Sequence, residues 1–277
     1  MFVILGSMRS GTTLLAQCLN AHSALVVPDE TDFVIPTAFI VDRVADEQVG
    51  KRLAGDLIVN SKRFGASLGR YLDEATVREA LAGARYDATG LISAIYDAVA
   101  KRAGVAQAGD KSPNDMQYVR VLLDDGFFDT VKALHIVRDV RDVVVSMHRL
   151  GWIPRLRYGY PRFWSADNIL VANRLSVVPE HYHRLRYEDL VTDPEGVLAE
   201  ACAFLGVEFE MAMVDDQRRR DASHHPQMFH HERTFMPIDG TGIGSGREAF
   251  DDEALAHVER LGAEGLARFG YLGEHSS

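Results

Sequence analysis

A chain of 277 residues with 47% hydrophobic and 25% charged side chains has the balance of a globular protein and can bury a substantial core. Its net charge of −10 argues against nucleic acid or an anionic membrane surface as a partner, so any anionic ligand must be held by a local cluster of cations. Two cysteines, Cys18 and Cys202, exclude a disulfide framework, and no apolar run is long enough to span a bilayer. With no basic leader ahead of the first apolar run, the expected location is cytoplasmic.

The first thirty residues organise the rest. Met1–Leu5 is a short apolar run that reads as a buried strand. Gly6-Ser7-Met8-Arg9-Ser10-Gly11-Thr12-Thr13 follows, and then Leu14, Leu15, Cys18 and Leu19 recur at helical spacing. Strand, glycine-bounded turn and helix together aim backbone N–H groups and the positive end of a helix dipole at one anion. The spacing is that of G-x-x-x-x-G-K-[ST], but Thr12 stands where the lysine of a nucleoside-triphosphate site belongs. Arg9 is the nearby cation. The turn is built for phosphate rather than for triphosphate chemistry.

Ala24–Val27 is expected as a second short strand, and residues 33–103 as largely helical, with Leu91, Ile92, Ile95, Tyr96 and Val99 forming an apolar stripe. Gln107–Gly109 reads as a weak third strand running into the turn Asp110-Lys111-Ser112-Pro113, where Ser112 and Pro113 make a helix start. Val131–Val137 is a convincing strand that ends at Arg138-Asp139-Val140-Arg141-Asp142, with a helix over Val143–Leu150. His183–Tyr187 is a further strand, Asp193-Pro194 opens a helix that Gly206 stops, and 221–248 reads as a long functional loop. The last helix is expected over Asp252–Arg268. Strands alternating with helices predict an α/β, P-loop-like three-layer domain with a central, mostly parallel sheet flanked by helices. No repeat or linker divides it, so residues 1–277 are read as one domain. Ligands of such sheets bind at the carboxyl ends of the strands.

Three polar clusters should meet at that edge: Gly6–Thr13, Asp110–Ser112 and Arg138–Ser146. Taken alone, Arg138 and Asp139 read equally as a surface ion pair, Glu30 as a solvated loop acid and Lys111 as an exposed loop lysine. Ser146, two helical turns beyond Arg138, changes the balance, because an arginine at a strand end and a hydroxyl on the next helix can grip one phosphate together. Two phosphate cradles side by side predict a nucleotide with two separated phosphates.

The segments GSMRSGTTLL, HIVRDVRDVVVSMH and LRYEDLVTDP, in that order, resemble the sulfotransferases that use 3′-phosphoadenylyl sulfate (PAPS, whose product is 3′-phosphoadenosine 5′-phosphate, PAP). The similarity runs from residue 1 to about 250. The first segment, with Ser10, Gly11, Thr12 and Thr13, is similar to the family's 5′-phosphosulfate loop, and Arg138 with Ser146 to its 3′-phosphate site. Glu30-Thr31-Asp32-Phe33-Val34-Ile35-Pro36 resembles a segment of the protein-tyrosine sulfotransferase-like branch. The resemblance implies Glu30 as catalytic base, Arg9 and Lys111 as stabilisers of the sulfuryl group, and Tyr187 as a nucleotide contact. It also implies that Gly240–Arg247 closes over the 3′-phosphate with Arg247 as its cation, although Arg247 and Phe250 stand where the family commonly has Lys and Trp. Thr234 matches a serine of the tyrosine branch.

Sulfuryl transfer needs in-line positioning and charge stabilisation more than covalent help, so no metal is expected. His224-His225 and His230-His231 match no tetrahedral metal spacing. The strip holding Arg149, Arg155, Arg157, Arg162, Trp152, Tyr158, Tyr160, Phe163 and Trp164 reads as an acceptor pocket, from Trp152, Tyr158 and Trp164 above all. The expected acceptor is a small molecule or peptide bearing a hydroxyl. Two rivals stand beside this reading: a P-loop kinase, which needs Mg²⁺ and a carboxylate at the 131–137 strand end, and a non-catalytic nucleotide-binding module.

Overall fold

A computed structural model describes residues 1–112, 116, 118–152, 159–222 and 236–272. Its centre is β1 (Phe2–Leu5), every residue of which is buried. Phe2 and Ile4 pack in one apolar cluster and Val3 and Leu5 in another, so the strand is covered on both faces. The loop after β1 leads into α1 (Thr12–Asn20), then β2 (Leu25–Val26), α2 (Val34–Arg43), α3 (Glu47–Val59), α4 (Glu74–Gly83) and α5 (Ala88–Ala103). Asp46, Asp73 and Asp87 each cap the helix that follows by accepting a backbone N–H.

β3 (Gln107–Lys111) returns to the sheet, followed by α6 (Val119–Asp124), β4 (Lys132–Val137), α7 (Val140–Arg149) and α8 (Tyr160–Leu175). The chain closes with β5 (Tyr182–Arg186), α9 (Tyr187–Thr192), α10 (Pro194–Leu205), α11 (Asp216–Ala222), α12 (Ser245–Ala249) and α13 (Asp252–Arg268). All four strand pairings are parallel, in the order β2-β3-β1-β4-β5. The chain fills one side of β1 before crossing to the other, which makes the carboxyl end of β1 the place where loops diverge and a ligand crevice opens.

Several boundaries differ from the sequence reading. β3 runs on through Asp110 and Lys111, which pair with Val3 and Ile4, so these charged residues lie in a buried strand rather than in a turn. Local hydropathy misses them because their partners are polar groups brought in from elsewhere. α7 starts at Val140, three residues early, because Asp139 accepts the Arg141 N–H at 2.9 Å and caps the helix. Tyr187 opens α9 instead of ending β5. The segment read as a loop over 221–248 begins inside α11 and ends inside α12. The helix start at Ser112-Pro113, the histidine pairs, Thr234, Arg155, Arg157 and Tyr158 fall on or against positions outside the described residues.

Trp164 also corrects the sequence reading. It is 1% exposed and packs against Phe269 and Tyr271 in the core between α8 and α13, so it lines no acceptor pocket. Its ring completes the apolar stripe of α8, a role that aromatic content alone does not separate from ligand stacking. Among the described residues, no helix is long and apolar enough to cross a membrane.

Candidate active site

The loop Gly6–Gly11 turns sharply at the carboxyl end of β1. Arg9 and Gly11 both hold positive φ angles, 67° and 97°. Gly11 is the residue before α1, and that helix has neither a side-chain cap nor an acid in its first turn, which leaves its positive end open to an anion. Ser10 is fully buried, and its Oγ has no hydrogen-bond partner among the described residues. Such an orphaned hydroxyl beside open helix amides fits an anion held in this loop.

Glycine is required at position 11 twice over. A Cβ there would lie 2.5 Å from the Tyr187 ring, and an L side chain is strained at that φ. Gly11→Ala is expected to cost about 1–3 kcal/mol in overpacking and to weaken anion binding at the loop, both read by thermal melts with and without pyrophosphate.

Ser146 and Arg138 meet this loop directly. Arg9 Nε donates to Ser146 Oγ at 3.1 Å, and Arg138 Nη1 donates to the Arg9 carbonyl at 3.2 Å. The Arg138 guanidinium stacks 4.2 Å from the Tyr187 ring centroid, and its Nη2 donates to the Gly242 carbonyl at 3.0 Å. Its buried Nε has no partner among the described residues, so one donor of the fork remains to be satisfied. Burial and the nearby Arg138 charge both lower the pKa of Arg9, the mark of two guanidinium groups pressed together. A strongly positive pocket therefore sits inside a chain of net charge −10.

The late loop is anchored from below. Asp142 accepts the Gly244 N–H at 3.0 Å, the Gly246 N–H at 2.7 Å and the Ser245 hydroxyl at 3.3 Å. Burial pushes the Asp142 carboxyl up, opposed by these N–H donors. Arg247 lies among Arg141, Asp139, Glu259 and Asp142, and the loop's group at Arg138 is the Gly242 carbonyl. Asp139 is occupied with Arg141, whose guanidinium holds both its oxygens. Glu188 of the LRYEDL segment accepts the Asp139 N–H at 2.9 Å and the Tyr271 hydroxyl at 2.8 Å, tying β4 to the end of the chain.

Glu30 is the third part. Its Oε1 accepts from Lys111 Nζ at 2.9 Å and its Oε2 from Arg63 Nη1 at 3.1 Å, while Arg63 Nε also pairs with Asp32 at 2.5 Å. Lys111 is 1% exposed, so this pairing is shielded from solvent on the lysine side. Burial raises the Glu30 pKa, but the Lys111 and Arg63 charges outweigh it and hold the carboxyl below its ordinary range.

The segment carrying Glu30 is fastened to β3 through Asp110, which accepts from the Thr31 hydroxyl at 2.9 Å, from the Tyr96 hydroxyl and from Ser112 at 3.4 Å. Burial raises the Asp110 pKa. Asp110 thus positions the neighbours of Glu30, a stronger role than the turn residue its sequence context suggested. Arg63 carried no sequence signal at all; it comes from the turn after α3. Asp142 had one, the second acid of Arg-Asp-Val-Arg-Asp.

Lys111→Met is expected to raise the Glu30 pKa. The sign follows from the pairing: a carboxyl depressed in the folded state stabilises the fold above its unfolded pKa, and that contribution fades as pH falls through the folded value. The variant should lose part of this stabilisation near neutral pH, and an NMR titration of the Glu30 carboxyl carbon should move to higher pH.

A family model described as the sulfotransferase family matches residues 2–211. The chain belongs to the sulfotransferase family. An uncharacterized protein of Aquifex aeolicus (strain VF5) is 26% identical over 219 residues, 75% of this chain and 25% of that protein, so the chain spans about a quarter of its length. The sulfotransferase domain of the Synechococcus PCC 7002 olefin synthase is 24% identical with a TM-score of 0.67, over 98% of this chain and 94% of that one. The sulfotransferase domain of the curacin biosynthetic pathway is 22% identical with a TM-score of 0.63, over 98% and 97%. A mouse sulfotransferase complexed with PAP is 11% identical with a TM-score of 0.52, over 98% and 84%. These likenesses carry the fold. What the pocket does rests on this chain's own residues.

Proposed function

We propose that the chain transfers the sulfuryl group of PAPS to an acceptor hydroxyl by direct in-line displacement. One observation carries the reading: the Arg9 side chain bonds Ser146 while Arg138 bonds the Arg9 carbonyl, so a 5′-phosphate loop and a 3′-phosphate grip share one positive pocket. The donor itself supplies an activated sulfuryl group and a phosphate leaving group. Ser10 and the amides of Gly11, Thr12 and Thr13 hold the 5′-phosphate. Arg138 and Ser146 hold the 3′-phosphate, Arg247 adds charge beside them, and Tyr187 backs the nucleotide.

Arg9 and Lys111 stabilise charge at the reacting centre. Glu30 accepts the proton of the acceptor hydroxyl. Its two oxygens are engaged by Lys111 and Arg63, so the base is freed as Lys111 turns to the donor. The Glu30–Pro36 segment supports the kinship with the protein-tyrosine branch, and a hydroxyl on a small molecule or peptide is the acceptor class. The engagement of Asp139 by Arg141 supports this reading over a kinase, which would need a carboxylate open for Mg²⁺ at the end of β4.

The test is a thermal-shift panel of PAP, ADP, ATP with Mg²⁺ and adenosine 5′-phosphosulfate. A ligand at a hundred times its Kd stabilises by about 2.7 kcal/mol, several degrees for a chain of this size. PAP is expected to give the largest shift. ATP with Mg²⁺ giving the largest shift would favour phosphoryl transfer from ATP over sulfuryl transfer.

A further inference from the structure

Arg9 stands third in a turn that is closed by the Ser10 N–H donating to the Ser7 carbonyl at 3.0 Å. Its φ of 67° is left-handed, which for a side chain of this kind costs about 1–2 kcal/mol. Glycine or asparagine is the usual occupant of that place in a turn. A strained arginine persists only where its surroundings fix the loop, and strain of this kind gathers at functional sites.

The first residue of the turn is fixed from outside the loop. Ser7 is 6% exposed, and its Oγ accepts from Asn168 Nδ2 of α8 at 2.9 Å. Tyr160, at the start of the same helix, also hydrogen-bonds Ser7. The second Asn168 N–H donates to the Trp164 carbonyl at 2.7 Å, and Asn168 Oδ1 lies 2.9 Å from His135 Nε2. His135 Nδ1 lies 2.8 Å from the Tyr182 hydroxyl. Asn168 and His135 are both wholly buried.

The amide decides every direction in this run. With both N–H groups donating, Oδ1 must accept, so His135 donates from Nε2 and accepts the Tyr182 hydroxyl at Nδ1. The imidazole is neutral, as burial dictates by lowering its pKa to about 4. β4 sets His135 directly beside Leu5, the last residue of β1. The run therefore crosses from the edge strand through the sheet to the turn with each polar group satisfied, the arrangement in which a buried network holds a single geometry.

We propose that Asn168 is a positioning residue for Arg9: held by His135 and the Trp164 carbonyl, its amide clamps Ser7, and the Ser7–Ser10 turn then keeps the Arg9 guanidinium beside Ser146. The consequence for donor binding rests on the sulfuryl-transfer reading, whereas the clamp itself is a property of the loop.

The experiment compares Ser7→Ala, Asn168→Ala and the double variant in PAP affinity, in melting temperature and in the crystal structure of Ser7→Ala. Ser7→Ala removes one buried hydroxyl and is the variant expected to fold even if Asn168→Ala does not. Each folded single variant should bind PAP about tenfold more weakly, and the double variant no worse than the weaker single one. In the Ser7→Ala crystal, Arg9 should leave its positive φ or its contact with Ser146. Multiplying affinity losses, or a lowered melting temperature with PAP affinity unchanged, would overturn the clamp. If the wild-type chain does not bind PAP, the sulfotransferase reading fails, and the Arg9 backbone in the Ser7→Ala crystal still decides the inference: a retained φ and Ser146 contact overturn it.

Discussion

Glu30→Gln should lower sulfuryl transfer by about 10²- to 10⁴-fold while PAP binding stays within a factor of a few, because a general base acts on the acceptor proton and not on the nucleotide. The substitution keeps the shape and one oxygen acceptor, so one of Lys111 and Arg63 retains its partner while the other faces the amide nitrogen. It removes the charge that accepts the proton. The measurement is turnover with saturating PAPS beside calorimetric PAP affinity. A fall in affinity equal to the fall in turnover would make Glu30 a structural anchor for Lys111. Unchanged turnover would remove Glu30 from the role of base, and no turnover in the wild-type chain despite PAP binding would suit the non-catalytic module.

The second large effect falls on Arg138. It is 8% exposed, donates to two backbone carbonyls from different segments, stacks on Tyr187 and keeps Nε for another acceptor. Hydrogen bonds to charged groups contribute about 1.5–3 kcal/mol, so Arg138→Ala should weaken PAP about 10- to 100-fold through the 3′-phosphate alone. AMP lacks that phosphate and should lose much less, so the PAP-to-AMP preference collapses. Arg138→Lys should recover little, since an ammonium cannot reproduce the fork that spans Arg9 and Gly242. Equal losses for PAP and AMP would mean that Arg138 only braces the loops.

The glycine turn between β1 and α1, and the positions of Arg138 after β4 and Ser146 on α7, were legible in the sequence because they are local: a strand, a glycine turn and a helix need no distant partner to be recognised. β3 was only half legible. Asp110 and Lys111 look like turn residues in a hydropathy reading, and only the arrival of Thr31, Tyr96 and Glu30 makes them tenable inside a sheet. Trp164 was misread for a related reason, since an aromatic beside arginines serves core packing and ligand stacking alike until its helix is oriented. Arg63 and Asn168 were invisible. Each acts through a partner far away in sequence, and neither lies in a pattern whose period or composition marks it.

On this reading one pocket of the chain holds both phosphates of a bisphosphorylated adenosine. Calorimetric titration of the wild-type chain with PAP, AMP and ATP with Mg²⁺ tests it most directly. PAP should bind at least about tenfold more tightly than AMP, the contribution of one additional charge-assisted phosphate grip. Equal affinity for PAP and AMP, or tighter binding of ATP with Mg²⁺ than of PAP, would contradict it.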